Sequence, residues 1–364
     1  MQCSLPCKAR NTAERAQGLA DDWRLATDKD IIPTLPLKIT YQDLCRTLER
    51  VLVRTGFTPQ RAGLCARLFA DASRDGVASH GLNRFPRFMD MIRAGVIDVG
   101  AEPVRVAGTG ALERWDGRRG PGNLNAYQCM DAAIALARAH GVGCVALANT
   151  NHWMRGGNYG WQAADAGAIG ICWTNTLANL PPWGAAEPGI GNNPIVIAVP
   201  RAGGHVVLDM AMSQFSFGAL ESYRRRGEPL PVDGGFDASG ALTRDAAAIE
   251  ASRRPLPIGF WKGSGLAMML DMVAAALSGG LATYQISRDP LYETNLSQVF
   301  IALDPAASGA DIAIIDRIVD DLHAPSPDGS HPRYPGERTL ETRRRSMEEG
   351  IPVDPEIWEA VRRL

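Results

Sequence analysis

The chain has 364 residues, 45% of them hydrophobic and 21% charged, the balance of a packed globular protein, which excludes a disordered or fibrous one. Its 38 basic and 40 acidic residues leave a net charge of −2, so no electrostatic case exists for a nucleic-acid or membrane-surface partner, and a small-molecule ligand is expected. The length allows two compact domains or one large α/β unit. The seven cysteines are scattered without a C-x-x-C pair, and no long apolar run or signal-type segment is present. Reduced thiols, a cytoplasmic location and no membrane span are therefore expected.

Residues 1–36 are polar and end in the breaker-rich stretch Ile31-Ile32-Pro33-Thr34-Leu35-Pro36, which predicts a partly disordered N-terminal extension. From Thr40 the spacing puts Leu44, Leu48, Val51 and Leu52 on one helical face, and Thr58-Pro59 opens a second helical run through Ala70. Residues 37–120 thus read as a helical, substrate-side region packed with C-terminal helices in 305–364. Val142–Ala148 and Ile169–Thr174 are short apolar runs rich in branched residues, which predict buried strands, with a helix between them over 157–168. Ile195–Val199, Val206–Met210 and Gln298–Leu303 predict further strands, and a long helix spans Ser264–Leu277 before Gly279-Gly280. The alternation predicts an α/β class with a mixed sheet, its cofactor-binding region over 121–304.

The dinucleotide fingerprint G-x-G-x-x-G is absent; its nearest match, Gly120-Pro121-Gly122-Asn123-Leu124-Asn125, has asparagine at the third position. Trp261-Lys262-Gly263-Ser264 lacks the upstream glycine of a phosphate loop, and the six histidines show no metal-ligand spacing, so no metal is expected. Ser79-His80-Gly81-Leu82-Asn83-Arg84 stands out. Pro86 is tolerated in a first helical turn, which predicts a helix starting near Asn83 as N-cap and His80 in a glycine-flanked turn just before it. An imidazole there suits general acid and base work, and the fork of Arg84 suits a carboxylate. A solvated surface turn fits the same residues.

Asn149–Gly157 follows a predicted strand, where α/β proteins bind ligands. Asn151, His152 and Arg155 are candidates there, although a capping or core role fits His152 equally well. Asn175–Gly184, with Trp183, and Gly191-Asn192-Asn193-Pro194 read as a shaped pocket wall rather than ordinary loops. Leu208–Ser213 is a strand end at which Asp209 and Ser213 could bind a ribose or phosphate, with Met210 and Met212 as packing residues.

At these segments the chain resembles the malate/L-lactate dehydrogenase type-2 family of NAD(P)-dependent oxidoreductases. The likeness runs from about Thr40 to the C-terminus, on SHGLNRFPRF (79–88), NHWMRGGNYGWQAA (151–164), GICWTN (170–175), PPWGA (181–185), DMAMSQFSFG (209–218), LPVDGGFD (230–237) and FWKGSG (260–265). It implies a non-Rossmann NAD(P)-binding fold and hydride transfer to C2 of a 2-keto acid of sugar origin. His80 would donate the proton; to this the reading of the residues adds Arg84 as the carboxylate grip, Asn151 and His152 on the nicotinamide side of the substrate, and Ser79, Asn175, Trp183 and Asn193 around it. The cofactor, NAD as NADH with NADP possible, would lie on Asp209, Met210, Ala211, Met212 and Ser213, on Trp261 and Lys262, and on Gly336, Glu337 and Arg338. A homodimer is implied as well. Gly122-Asn123-Leu124-Asn125 lacks the histidine of relatives acting on ureidoglycolate, which argues against that substrate. A simpler 2-keto acid or a cyclic imine carboxylate stays open, and a non-enzymatic sugar-acid binder is the alternative of a different class.

Overall fold

A computed structural model describes residues 37–309, 311–324 and 329–364; the extension expected at 1–36 lies outside them. After β1 (Leu37–Ile39), the Thr40 hydroxyl accepts the Asp43 N–H at 3.0 Å and starts α1 (Tyr41–Arg54), which buries Leu44, Leu48, Val51 and Leu52 as their spacing predicts. Thr58 and Pro59 likewise open α2 (Pro59–Arg74), one turn longer than expected. Two 3-10 turns, Ala78–His80 and Leu82–Arg84, lead to α3 (Phe85–Arg93).

Asn83 is therefore not the cap. It is exposed inside the second turn, and Arg84 holds the cap position without a side-chain bond. The reason is that α2 already fixes the turn, because Ser73 Oγ accepts the Leu82 N–H at 2.8 Å.

A hairpin follows, β2 (Val104–Thr109) and β3 (Leu112–Asp116), at positions that had read as helical. The chain continues through α4 (Gly122–His140), β4 (Val142–Asn151), α5 (Gly157–Asp165), β5 (Ile169–Thr174), β6 (Ala178–Leu180), β7 (Ile190–Gly191), β8 (Ile195–Val199) and β9 (Val206–Met210). Then come α6 (Phe217–Arg226), β10 (Gly235–Phe236), β11 (Leu242–Thr243), α7 (Ala246–Ser252), α8 (Trp261–Ser278) and β12 (Thr294–Leu303). The last elements are α9 (Ile314–Leu322), α10 (Glu337–Glu349), β13 (Ile351–Val353) and α11 (Pro355–Arg363). No helix among the described residues is long and apolar enough to cross a membrane.

The mixed sheet has seven strands in the order β2-β3-β4-β12-β5-β8-β9, and only β3 and β4 run parallel. Its centre is β12, where Phe300 pairs with Val145 on one side and Cys172 on the other. This is not the parallel Rossmann sheet, in keeping with the missing glycine fingerprint. One face is covered by α4 and α5, whose Ala126, Met130, Tyr159 and Ala163 pack on Val145, Cys172 and Phe300. On the other face, Ala267, Leu270 and Ala274 of α8 meet Ala146, Trp173 and Val299. A separate core of Leu44, Phe69, Phe85, Phe88 and Trp358 joins α1, α2, α3 and α11. Together these layers hold the turn bearing His80 beside the C-terminal end of β4.

Candidate active site

The turn bearing His80 is pinned to the end of α2. Asp75 caps that helix, Gly76 takes φ +83°, the Val77 N–H bonds the Ala72 carbonyl at 2.8 Å, and the His80 N–H bonds the Val77 carbonyl at 3.0 Å. Gly81 is required by close approach, because a Cβ there would lie 2.2 Å from Ser73 Oγ and 3.0 Å from the Phe69 carbonyl oxygen. Gly81→Ala is expected to lower stability by about 1–3 kcal/mol and displace the turn. Thermal unfolding checks the first effect, and a fall in kcat larger than the fraction unfolded checks the second.

His80 is half-buried. Ser79 Oγ lies 3.1 Å from its Nδ1, and its ring stacks on that of His152 with centroids 5.7 Å apart and planes 22° from parallel. The Nδ1 of His152 accepts the Met154 N–H at 3.0 Å, which places the His152 proton on Nε2. Burial pushes the His80 imidazole down to about 4, helped by the charges of Arg84 and Arg155. Burial also drives His152 well below the usual range, with Arg84, His80 and Arg87 adding to it. Arg84 itself falls to about 10 through burial and the nearby Arg87, so it stays charged at neutral pH. Its guanidinium is 3.9 Å from the buried carboxylate of Glu293, which accepts the Leu177 N–H at 3.2 Å. The result is a stacked pair of neutral imidazoles beside the charged guanidinium of Arg84. A carboxylate bound to Arg84 would relieve the pressure of that charge on His80.

The segments expected at the cofactor converge around β9. The Val207 N–H bonds the Pro335 carbonyl at 2.8 Å, so Gly336 (φ +95°), Glu337 and Arg338 lie alongside that strand. The Ile258 N–H bonds the Met212 carbonyl at 2.8 Å and brings the start of α8, with Trp261 and Lys262, next to the strand end. Asp209 accepts the Gly157 N–H at 2.8 Å. Trp261 is 65% exposed, and α8 and α10 begin without side-chain caps. This donor set fits a dinucleotide: a carboxylate for ribose hydroxyls, open helix starts for phosphates and a flat indole.

Within these segments Met210 and Ala211 are partly buried and Met212 is in the core. Ser213 is turned inward, its N–H donating to Asn192 Oδ1 and its Oγ to the Phe215 carbonyl, each at 2.7 Å. Glu337 is engaged inside its own loop, where it accepts the Tyr334 N–H at 3.2 Å.

The asparagines expected around the substrate are tied into the scaffold. Asn175 donates to Asp271 (2.9 Å) and the Leu281 carbonyl (2.8 Å) and accepts the Ser297 N–H (2.8 Å). Asn193 donates to the Ala267 carbonyl at 2.7 Å and accepts the Thr176 N–H at 3.0 Å. Asn151 donates to the carbonyls of Arg119 and Gly120 at 2.8 and 2.9 Å, its own oxygen left without a partner. Trp183, 47% exposed, packs on Phe260 with ring centroids 5.1 Å apart, beside the start of α8. Among the described residues no group of three or more His, Cys, Asp or Glu is placed to hold a metal ion.

Two residues that sequence reasoning missed are Glu293 and Asp75. Asp75, 1% exposed, is bonded by Arg74 Nε (2.8 Å), Arg155 Nη1 (2.5 Å) and Arg343 Nε and Nη2 (2.8 and 2.7 Å). A carboxylate held by three arginines stays ionised far below the usual range.

Residues 39–362 match the family model described as malate/L-lactate dehydrogenase. The chain is 45% identical over 333 residues to a 2,3-diketo-L-gulonate reductase of Citrobacter koseri, covering 90% of this chain and 100% of that protein. Among solved structures it is similar to the Δ1-piperideine-2-carboxylate reductase of Pseudomonas syringae, 31% identical with a TM-score of 0.81 over 90% of this chain and 99% of the other. It is also similar to the sulfolactate dehydrogenase of Methanocaldococcus jannaschii, 27% identical with a TM-score of 0.83 over 89% and 95% of the two chains.

Proposed function

We propose that this chain, which belongs to the malate/L-lactate dehydrogenase family of oxidoreductases acting on hydroxy and keto acids, uses NADH to reduce a sugar-derived 2-keto acid at C2. The substrate favoured by its relatives is 2,3-diketo-L-gulonate, reduced to 3-dehydro-L-gulonate. The observation that carries the reading is the half-buried His80 with Arg84 four residues on, a proton-handling group and a carboxylate fork on one rigid turn.

A nicotinamide cofactor, when bound, would supply the hydride. Asp209, the open first turn of α10 at Gly336–Arg338, and Trp261 with Lys262 would hold it, with Met210 and Ala211 at the strand end and the buried Met212 and Ser213 fixing that end. The Asp209 carboxylate would accept the hydroxyls of a free ribose diol, which favours NAD over NADP. Arg84 grips the C1 carboxylate. The 3.1 Å contact between Ser79 Oγ and Nδ1 orients His80 so that Nε2 faces the C2 oxygen, and negative charge developing there draws the proton. Neutralising Arg84 raises the affinity of His80 for that proton, while in the oxidative direction the neutral imidazole of the free enzyme accepts one.

The same reading includes a homodimer in a cytoplasm. The described cysteines are all free thiols. The outer face of α8 leaves Leu266, Met268, Met269 and Met272 exposed, an apolar surface suited to a second copy.

Initial rates with 2,3-diketo-L-gulonate, pyruvate, oxaloacetate and piperideine-2-carboxylate, each with NADH and NADPH, test the proposal. The sugar acid with NADH should give the highest kcat/KM by about tenfold or more. A higher value for oxaloacetate or the cyclic imine moves the assignment to a sister activity, and no oxidation of either cofactor leaves a binding protein.

A further inference from the structure

Arg155 lies between two carboxylates drawn from different parts of the site. It is 4% exposed; its Nη1 donates to Asp75 Oδ2 at 2.5 Å, and its Nε, 3.9 Å from Asp209 Oδ2, has no hydrogen-bond partner. Asp75 precedes His80 by five residues and Arg155 follows His152 by three, so this one ion pair brackets the stacked imidazoles. Asp209, on the other side, belongs to the cofactor strand and receives the N–H of Gly157, the first residue of α5, two residues after Arg155.

Stability of the cluster does not explain the arrangement. Asp75 keeps three charge-assisted bonds from Arg74 and Arg343 when Arg155 is set aside. An unpartnered buried N–H is costly and calls for a reason. Arg343 comes from α10, whose first residues flank β9, and its guanidinium lies 4.3 Å over the Trp161 ring of α5. The end of α2, the loop after β4, and α10 are thus gathered on one carboxylate, and among the described residues Arg155 extends that tie to Asp209.

We propose that Arg155 is a positioning residue, which by spanning Asp75 and Asp209 sets the turn of His80 at its working distance from the cofactor strand. The inference rests on the reading of His80 and Asp209 given above. Misplacement of reacting groups by about 1 Å costs on the order of a hundredfold. Arg155→Lys keeps the charge, and with it the fold, but a lysine has no fork to span both carboxylates. It should lose about ten- to a hundredfold in kcat while its dissociation constant for NADH, read by fluorescence, changes less than about threefold.

The charges facing His80 are Arg84 from its own turn and Arg155 from the loop after β4, where His152 also stacks on it. Arg155→Met removes one of these cations, so the falling limb of kcat/KM for reduction should move to higher pH, whereas Arg155→Lys should leave the limb in place. Wild-type kcat in Arg155→Lys, or a well-folded Arg155→Met with an unmoved limb, overturns the proposal. His80→Asn separates the two failures. If the wild type reduces no keto acid, or His80→Asn turns over normally, the reading of the site fails; if both controls behave, a normal Arg155→Lys overturns the positioning role alone.

Discussion

His80→Asn should lose about 10²–10⁴-fold in kcat with a 2-keto acid and still bind NADH nearly as well as the wild type. The loss follows from chemistry, since an asparagine amide has no proton to give in this pH range while negative charge still develops on the C2 oxygen. Retained binding follows from position, because Asp209, Trp261, Lys262 and the start of α10 stand on other elements than the 3-10 turn. Asparagine can also keep a hydrogen bond to Ser79, which replaces the 3.1 Å contact at Nδ1, and the turn itself is set by Ser73 and Gly81. Turnover near that of the wild type would remove His80 from the mechanism.

Arg84→Met should lower kcat/KM by about 10²–10³-fold, with most of the change in KM, as expected when one partner of a desolvated charge pair is removed. Arg84→Lys should fall between, since it keeps the charge but loses the bidentate fork. A second signature distinguishes loss of the carboxylate grip from general damage. Arg84 is the largest charge holding the His80 imidazole low, after burial, so its removal should raise the His80 pKa and shift the falling limb of the pH profile upward even as activity drops. A uniform loss with an unmoved limb would point to a collapsed pocket, with the buried Glu293 left without its cation. Steady-state rates across pH with circular dichroism on the same samples decide this.

Much of the scaffold is legible because its signals are local. The Thr40 cap, the 3- and 4-residue spacing of Leu44, Leu48, Val51 and Leu52, and the runs at Ile169–Thr174 and Ile195–Val199 each determine a structure within a few residues. The β2–β3 hairpin is hidden because β2 is exposed along its whole length, so neither of its faces carries a buried apolar set. The place of β12 between β4 and β5 depends on pairings that no local pattern encodes.

The candidate site divides in the same way. His80 and Arg84 sit on one turn, where glycine, proline and charge speak locally. The scaffold bonds of Asn151, Asn175 and Asn193 are not legible, because a buried asparagine tying backbone carbonyls and one lining a pocket look alike in sequence. Asp75 escaped because its partners Arg155 and Arg343 are 80 and 268 residues away. The loop at Gly336–Arg338 is legible only through family resemblance, because its bond to β9, from Val207 to Pro335, also joins residues far apart in the chain.

The most direct test of His80 as the proton-handling group is kcat/KM for keto-acid reduction from about pH 5 to about pH 9, in the wild type and in His80→Asn. With the free-enzyme imidazole held at about 4, the protonated donor grows scarcer throughout that range. The wild type should therefore fall about tenfold per pH unit, while His80→Asn stays low and flat. A flat wild-type profile, or the same fall in both proteins, would contradict the assignment.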